Sequence, residues 1–166
     1  TMDYKEDKTW HDIKVPSNWE MSGYSPATYC KPDNAIGIYR LWFDVPADWK
    51  GRIVKLNFDG VQNGAEIYLN GLPVNVSEPA WGRKNYHEGG WDAFQVDLTP
   101  AVKFGQKNLL AIRAYKNTKS VDMDTGDYFI LGGINRPVTL FSIPKTHIDD
   151  LAVRTKLLDG GKAEVR

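Results

Sequence analysis

Cysteine is almost missing from this chain of 166 residues. Cys30 stands alone, which rules out a disulfide framework and a thiolate metal cluster. An oxidising compartment permits disulfides without demanding them, so the cysteine count leaves the compartment open. Net charge is missing as well: 21 Lys and Arg balance 21 Asp and Glu. A neutral surface offers no electrostatic footprint for nucleic acid or an anionic membrane. No apolar run approaches the roughly 18 residues that a membrane-spanning helix needs. The opening residues, Thr1 to Lys5, lack the basic-then-apolar layout of a signal peptide; their Asp-Tyr-Lys run resembles part of an epitope tag but leads naturally into Trp10. His11, His87 and His147 are scattered at no ligand spacing, which argues against zinc. There is no phosphate-cradling glycine loop and no Gly-x-Ser-x-Gly elbow. Long stripes of 3.6-residue period are absent too.

What is present is period-two alternation. Tyr39, Leu41, Phe43 and Val45 share one face with Arg40 and Asp44 on the other, and Val54, Leu56 and Phe58, then Ala65, Ile67 and Leu69, repeat the spacing. Asn70-Gly71 follows directly and predicts a tight hairpin, because both residues tolerate positive φ. The returning strand falls on residues 72–76. Phe94, Val96 and Leu98 resume the pattern, then Leu110, Ile112 and Ala114, then Val138, Leu140 and Ser142. Residues 10–15 read as a short strand stopped by Pro16, and residues 77–92 as a polar, aromatic loop. Eight or nine short strands and no long helix predict an all-β protein, an antiparallel sandwich. After Pro144 a new alternation starts at Ile148, Leu151, Val153 and Leu157 and finds no partner in sequence. The chain therefore reads as cut inside a following domain.

Residues 122–140 carry the densest set of unusual features. Asp122, Asp124 and Asp127 lead through an apolar run to the pair Gly132-Gly133 and then to Arg136. Adjacent glycines in an apolar run predict a close backbone approach that a Cβ would forbid. Two readings stay open: a loop closing onto the last strand, or a binding loop with Asp127 at its working end. The three acids lie close to calcium-loop spacing, but Gly126 precedes the third acid instead of following it, so the register fails. A solvated acidic loop is the simpler state for Asp122 and Asp124. In residues 77–92, Trp81, Tyr86, His87 and Trp91 can stack on a sugar ring or fold back over the sandwich edge. A carboxylate pair at glycosidase separation cannot be read from sequence.

A family resemblance then connects these pieces. Val15-Pro16-Ser17-Asn18-Trp19-Glu20 with Gly23-Tyr24 resembles the opening signature of family two glycoside hydrolases, especially the β-galactosidase branch. The resemblance continues through Asn34-x-x-Gly37-x-Tyr39-Arg40, Phe58-Asp59-Gly60-Val61, Tyr68-Leu69-Asn70-Gly71 and Asp127-Tyr128-Phe129. It closes on Gly132-Gly133-Ile134-Asn135-Arg136-Pro137-Val138. It implies a jelly-roll sandwich, galactose-binding-domain-like, over residues 1–146. Residues 147–166 would be the first strand of a truncated immunoglobulin-like domain. In this family both catalytic glutamates belong to a later (β/α)₈ barrel, so this chain alone is expected to be inactive. The resemblance implies sugar contacts from Asn34 and Asp127 at the rim of the barrel's pocket, with Asp127 also a candidate for a cation shell shared with the barrel. The chain alone is expected to hold no cofactor or metal, while the whole enzyme would use sodium or magnesium. The implied partners are a galactoside-type sugar and the missing domains, not nucleic acid or membrane. The compartment is not fixed by the sequence: a soluble protein of the bacterial cytoplasm or of the periplasm is compatible with it. Arg136 is expected to tie the closing strand to a nearby acid. A self-sufficient carbohydrate-binding module stacking sugar on Trp81 and Trp91 is the competing reading, and a purely structural brace is the third. β-Glucuronidase and β-mannosidase specificities also stay open. The chain departs from the family pattern at Ala35 (usually Pro), at Pro137 (usually Asp) and in the length of residues 77–92, and the strand expected before Trp10 has no counterpart.

Overall fold

The computed structural model describes residues 10–30, 33–124 and 126–166, the side chain of Asp124 excepted. The region before Trp10, where a missing edge strand is expected, lies outside the described residues. The alternation becomes strands in this order: β1 Thr28–Tyr29, β2 Ile36–Asp44, β3 Ile53–Phe58, β4 Gly64–Leu69, β5 Leu72–Pro73, β6 Tyr86–Glu88, β7 Phe94–Asp97 and β8 Lys107–Tyr115. The four-residue helix α1, Val121–Asp124, precedes β9 Phe129–Ile130, β10 Val138–Ile143, β11 Thr155–Leu157 and β12 Ala163–Val165.

Two antiparallel sheets form the sandwich. One runs β10-β3-β7; the other runs β2-β8-β4-β5, with β6 also on β4. Successive side chains of a strand point to opposite faces, and the register keeps the apolar set inward. Val54, Leu56 and Phe58 are buried on β3, and Ala65, Ile67 and Leu69 on β4. With Phe94, Val96, Leu110, Ile112 and Ala114 they make one continuous core. Phe58 stacks on Phe94 with ring centroids 4.9 Å apart. Full burial of side chains of this size contributes about 1.5–3 kcal/mol each. The all-β, jelly-roll class expected from the sequence is the class found.

The Asn70-Gly71 turn forms as expected, with φ of 53° and 82°. The return strand is shorter than 72–76. It stops at Pro73: Val74 N–H still donates to the Ile67 carbonyl at 3.2 Å, but Ile67 N–H goes to the Asn85 carbonyl at 3.1 Å, just ahead of β6, and Val76 crosses to the other sheet to bridge Val96. Residues 10–15 are not a strand; regular pairing here begins only after Pro16, with Ser17 N–H donating to the Ile134 carbonyl at 2.8 Å. Leu41 shares the inward side of β2 yet is 59% exposed. It lines an open groove of about 1040 Å³ with Trp10, Ile13, Tyr39 and Val138. The last stretch does find a partner: β11 pairs antiparallel with β12. Ile148, Leu151 and Val153 belong to no strand and are exposed.

The glycine pair does what its position predicts. A Cβ on Gly132 would come within 2.0 Å of the Trp19 ring, and one on Gly37 within 2.3 Å. Buried Trp19 is thus held between two backbone surfaces, and its backbone N–H donates to the Gly132 carbonyl at 3.1 Å. This packing joins the turn after residue 16, the start of β2 and the run into β10.

Candidate functional site

Asp127 sits on a small ribbon apart from the two main sheets. β1 and β9 pair antiparallel, with Thr28 opposite Ile130 and Tyr29 opposite Phe129. Cys30 N–H donates to the Tyr128 carbonyl at 3.1 Å, and Cys30 Sγ lies 3.4 Å from the Gly126 carbonyl. The backbone on both sides of Asp127 is therefore tied to the β1 side. Asp127 itself is exposed, and the Tyr29 hydroxyl donates to its Oδ1. Tyr29 and Phe129 are more than half exposed and meet edge to face at 5.2 Å.

Asn34 lies on a different support. Its Oδ1 accepts from Asn117 Nδ2 at 2.7 Å. The two amides border a pocket of about 90 Å³, shared with Ala35, Ile36 and Tyr115. Beside this loop is an ion triad in which Lys116 and Glu20 have buried side chains and Asp33 is about one-third exposed. Lys116, fully buried, contacts Glu20 at 2.9 Å and Asp33 at 3.0 Å. Glu20 also accepts from Gly132 N–H at 3.0 Å, and Asp33 Oδ1 accepts from Ala35 N–H at 2.9 Å. A buried cation is tolerable only when paired and hydrogen-bonded, and here each acid also holds a backbone N–H. Burial raises the Asp33 carboxyl, but the hydrogen bond and charge of Lys116 and the Ala35 N–H together bring it below the usual carboxylate range. Among the described residues no hydrogen bond joins Asn34 to Asp127, so the two sit on separate footings.

The tryptophans of residues 77–92 are exposed but engaged. Lys119 Nζ lies 4.2 Å from the Trp81 ring centroid, and Trp81 Nε1 donates to Glu88 at 2.5 Å. Glu88 also accepts from the Tyr86 hydroxyl at 3.0 Å and from Ser120 N–H at 2.6 Å, so it ties this loop to the start of α1. Arg136 lies 5.7 Å from the Trp91 ring centroid. Its partners are main-chain carbonyls, Trp91 at 3.2 Å and Asp59 at 3.4 Å, and not the acidic side chain expected from the sequence. Each indole thus has a cation against its ring.

No three His, Cys, Asp or Glu side chains gather as a metal site among the described residues. Asp122 belongs to α1, and the side chain of Asp124 lies outside the described residues. No helix among the described residues is long and apolar enough to cross a membrane. Sequence reasoning missed Tyr29, Lys116 and Asp33. Tyr29 and Asp127 are 98 residues apart, a separation that carries no local pattern. Lys116 has a weak signal, as a lone cation directly after the alternating run of β8.

A profile described as "Glycosyl hydrolases family 2, sugar binding domain" matches residues 3–144. The chain belongs to that family. It is 31% identical to a β-galactosidase of Psychromonas ingrahamii, an alignment covering 92% of this chain and 15% of that enzyme. It is 27% identical to a β-galactosidase of Clostridium acetobutylicum, over 96% of this chain and 19% of the relative. Among solved structures, the family 2 fold superposes on a Bacteroides uniformis β-glucuronidase with a TM-score of 0.68 at 28% identity, covering 86% of this chain and 15% of the other. A β-glucuronidase from an uncultured Clostridium species gives 0.72 at 26%, over 93% of this chain and 27% of the other. This family 2 chain therefore spans under a third of the length of each of these relatives.

Proposed function

We propose that this chain is the non-catalytic, substrate-positioning domain of a family 2 glycoside hydrolase whose whole enzyme is a β-galactosidase. The observation that carries the reading is Asp127: an exposed carboxylate on a ribbon outside the main sheets, with one oxygen engaged by Tyr29 and its sequence setting matching the family motif. An ionised carboxylate is an acceptor-only group with room for several donors, which suits vicinal sugar hydroxyls. The double displacement itself needs two carboxylic groups about 5–5.5 Å apart. The reading assigns them to a barrel outside this chain, leaving this domain to orient the sugar and to buttress the pocket. Asn34 contributes an amide whose N–H₂ group has no hydrogen-bond partner among the described residues.

For sodium or magnesium the fit is partial. Asp127 supplies one further carboxylate oxygen, and the remaining oxygens would come from another domain. Such a cation would supply local positive charge at the pocket rim. The self-sufficient module is less well supported, because Lys119 and Arg136 lie against the indoles it would use for stacking.

A β-glucuronidase parent is the second reading, favoured by the names of both solved neighbours. Galactoside and glucuronide hydrolysis by the complete enzyme separates the two. In that enzyme Asp127→Ala is expected to lower kcat/KM by about 10- to 100-fold, the loss of one or two charge-assisted hydrogen bonds. Unchanged kinetics would remove Asp127 from the sugar site.

A further inference from the structure

We propose that Tyr29 is the positioning residue of Asp127, holding that carboxylate in its sugar-binding orientation before the sugar arrives. The inference rests on the role of Asp127 given above. Three features of the ribbon point to it. The Tyr29 hydroxyl donates to Oδ1 of Asp127, which restrains the exposed carboxylate through one oxygen, while its other lone pairs can still accept from a further donor. The β1–β9 ladder sets Tyr29 opposite Phe129, two residues beyond Asp127, and the two rings meet edge to face at 5.2 Å. The backbones of Gly126 and Tyr128, on either side of Asp127, are both held by Cys30, the residue after Tyr29. One short segment thus grips Asp127 by its side chain and by both flanking peptides.

Packing does not account for this arrangement. Tyr29 is 54% exposed and Phe129 56%, so the pair adds little to the sandwich core. A phenol with two side-chain torsions is a stiff support, whereas an unsupported aspartate on a surface loop must be ordered when ligand binds, at a cost in affinity. Surface substitutions that touch no core contact usually change stability little. Removal of the hydroxyl should therefore act on ligand binding and leave folding alone.

The test is Tyr29→Phe in the complete enzyme. It keeps the ring and the contact with Phe129 and deletes only the hydroxyl. Kinetics are measured on whichever of p-nitrophenyl β-D-galactoside and β-D-glucuronide is cleaved faster, beside Asp127→Asn and the double variant. The expected result is a KM raised about 3- to 10-fold with kcat within about twofold, and a thermal midpoint within about 2 °C of the parent. The double variant should be no worse than Asp127→Asn alone, because the hydroxyl acts only through that carboxylate. A wild-type KM for Tyr29→Phe while Asp127→Asn is impaired overturns the inference and leaves the role of Asp127 standing. Additive losses in the double variant overturn it as well. A wild-type KM for Asp127→Asn, or cleavage of neither substrate, overturns the underlying reading and the inference with it.

Discussion

His87 shows how one side chain couples this fold to pH. It is 98% buried by its 2% exposure and stacks on Phe94 at a centroid distance of 4.0 Å. Neither ring nitrogen has a hydrogen bond of good geometry. Burial lowers its pKa, and the backbones of Gly89 and Glu78 and the charges of Asp92 and Glu78 pull back only partly. The folded protein therefore resists protonation that the unfolded chain accepts near pH 6.5. Stability from this residue is complete above about pH 6.5 and falls as pH drops below it, by up to about 1.4 kcal/mol per pH unit until the folded pKa is reached. Thermal midpoints measured from pH 7.5 to 5 should fall in the parent and fall less in His87→Gln. Equal slopes in the two proteins would show that His87 stays neutral in both states or charges equally in both. Asp33 acts in a separate window. Its folded pKa is lowered, so its contribution is present above about pH 3.9 and is lost only as pH falls through the folded value.

Among the elements, β11 and β12 stand apart. They pair with each other, and Ile148, Leu151, Val153, Leu157 and Val165 are all more than 60% exposed. Elements that bury no apolar surface add little to stability. Deleting residues 147–166 should accordingly move the thermal midpoint by less than about 2 °C, measured by calorimetry; a drop of 5 °C or more would show that this hairpin braces the sandwich. Elements differ in how plainly they can be read from sequence, and the cause is length. β2, β3, β4 and β8 span six to nine residues, long enough for period-two alternation to emerge, and Asn70-Gly71 marks its own turn. β1, β6 and β9 span two or three residues, too short to alternate, so the ribbon under Asp127 and the strand inside residues 77–92 were invisible. Gly132 was legible as a close approach, but its partner Trp19 lies 113 positions away, and no local pattern names it. Asp127 could be picked out by its motif. Tyr29 and the Lys116 triad could not, since each depends on which distant segments the sheet topology brings together.

At the scale of the whole molecule, folding and function have different boundaries. The core formed by β2, β3, β4, β7, β8 and β10 closes within residues 13–140, from side chains of this chain. The candidate sugar contacts have no such closure: Asp127 and Asn34 are exposed, on separate supports, and the pocket beside Asn34 holds about 90 Å³. Small-molecule sites are usually clefts of about 300–1,000 Å³ that bury most of the ligand. The groove large enough for that, about 1040 Å³, is lined by neither residue. The isolated chain should therefore fold and yet bind monosaccharide weakly. In a titration with galactose followed by ¹⁵N–¹H NMR, shifts confined to residues near 29, 34 and 127 with a dissociation constant above about 10 mM, or no shifts, are expected. Ten millimolar corresponds to only about 2.7 kcal/mol, the scale of one or two exposed hydrogen bonds without a cleft around them. Sub-millimolar binding by the isolated chain would mean that it builds a complete site by itself, and would move the reading from a positioning domain to a carbohydrate-binding module.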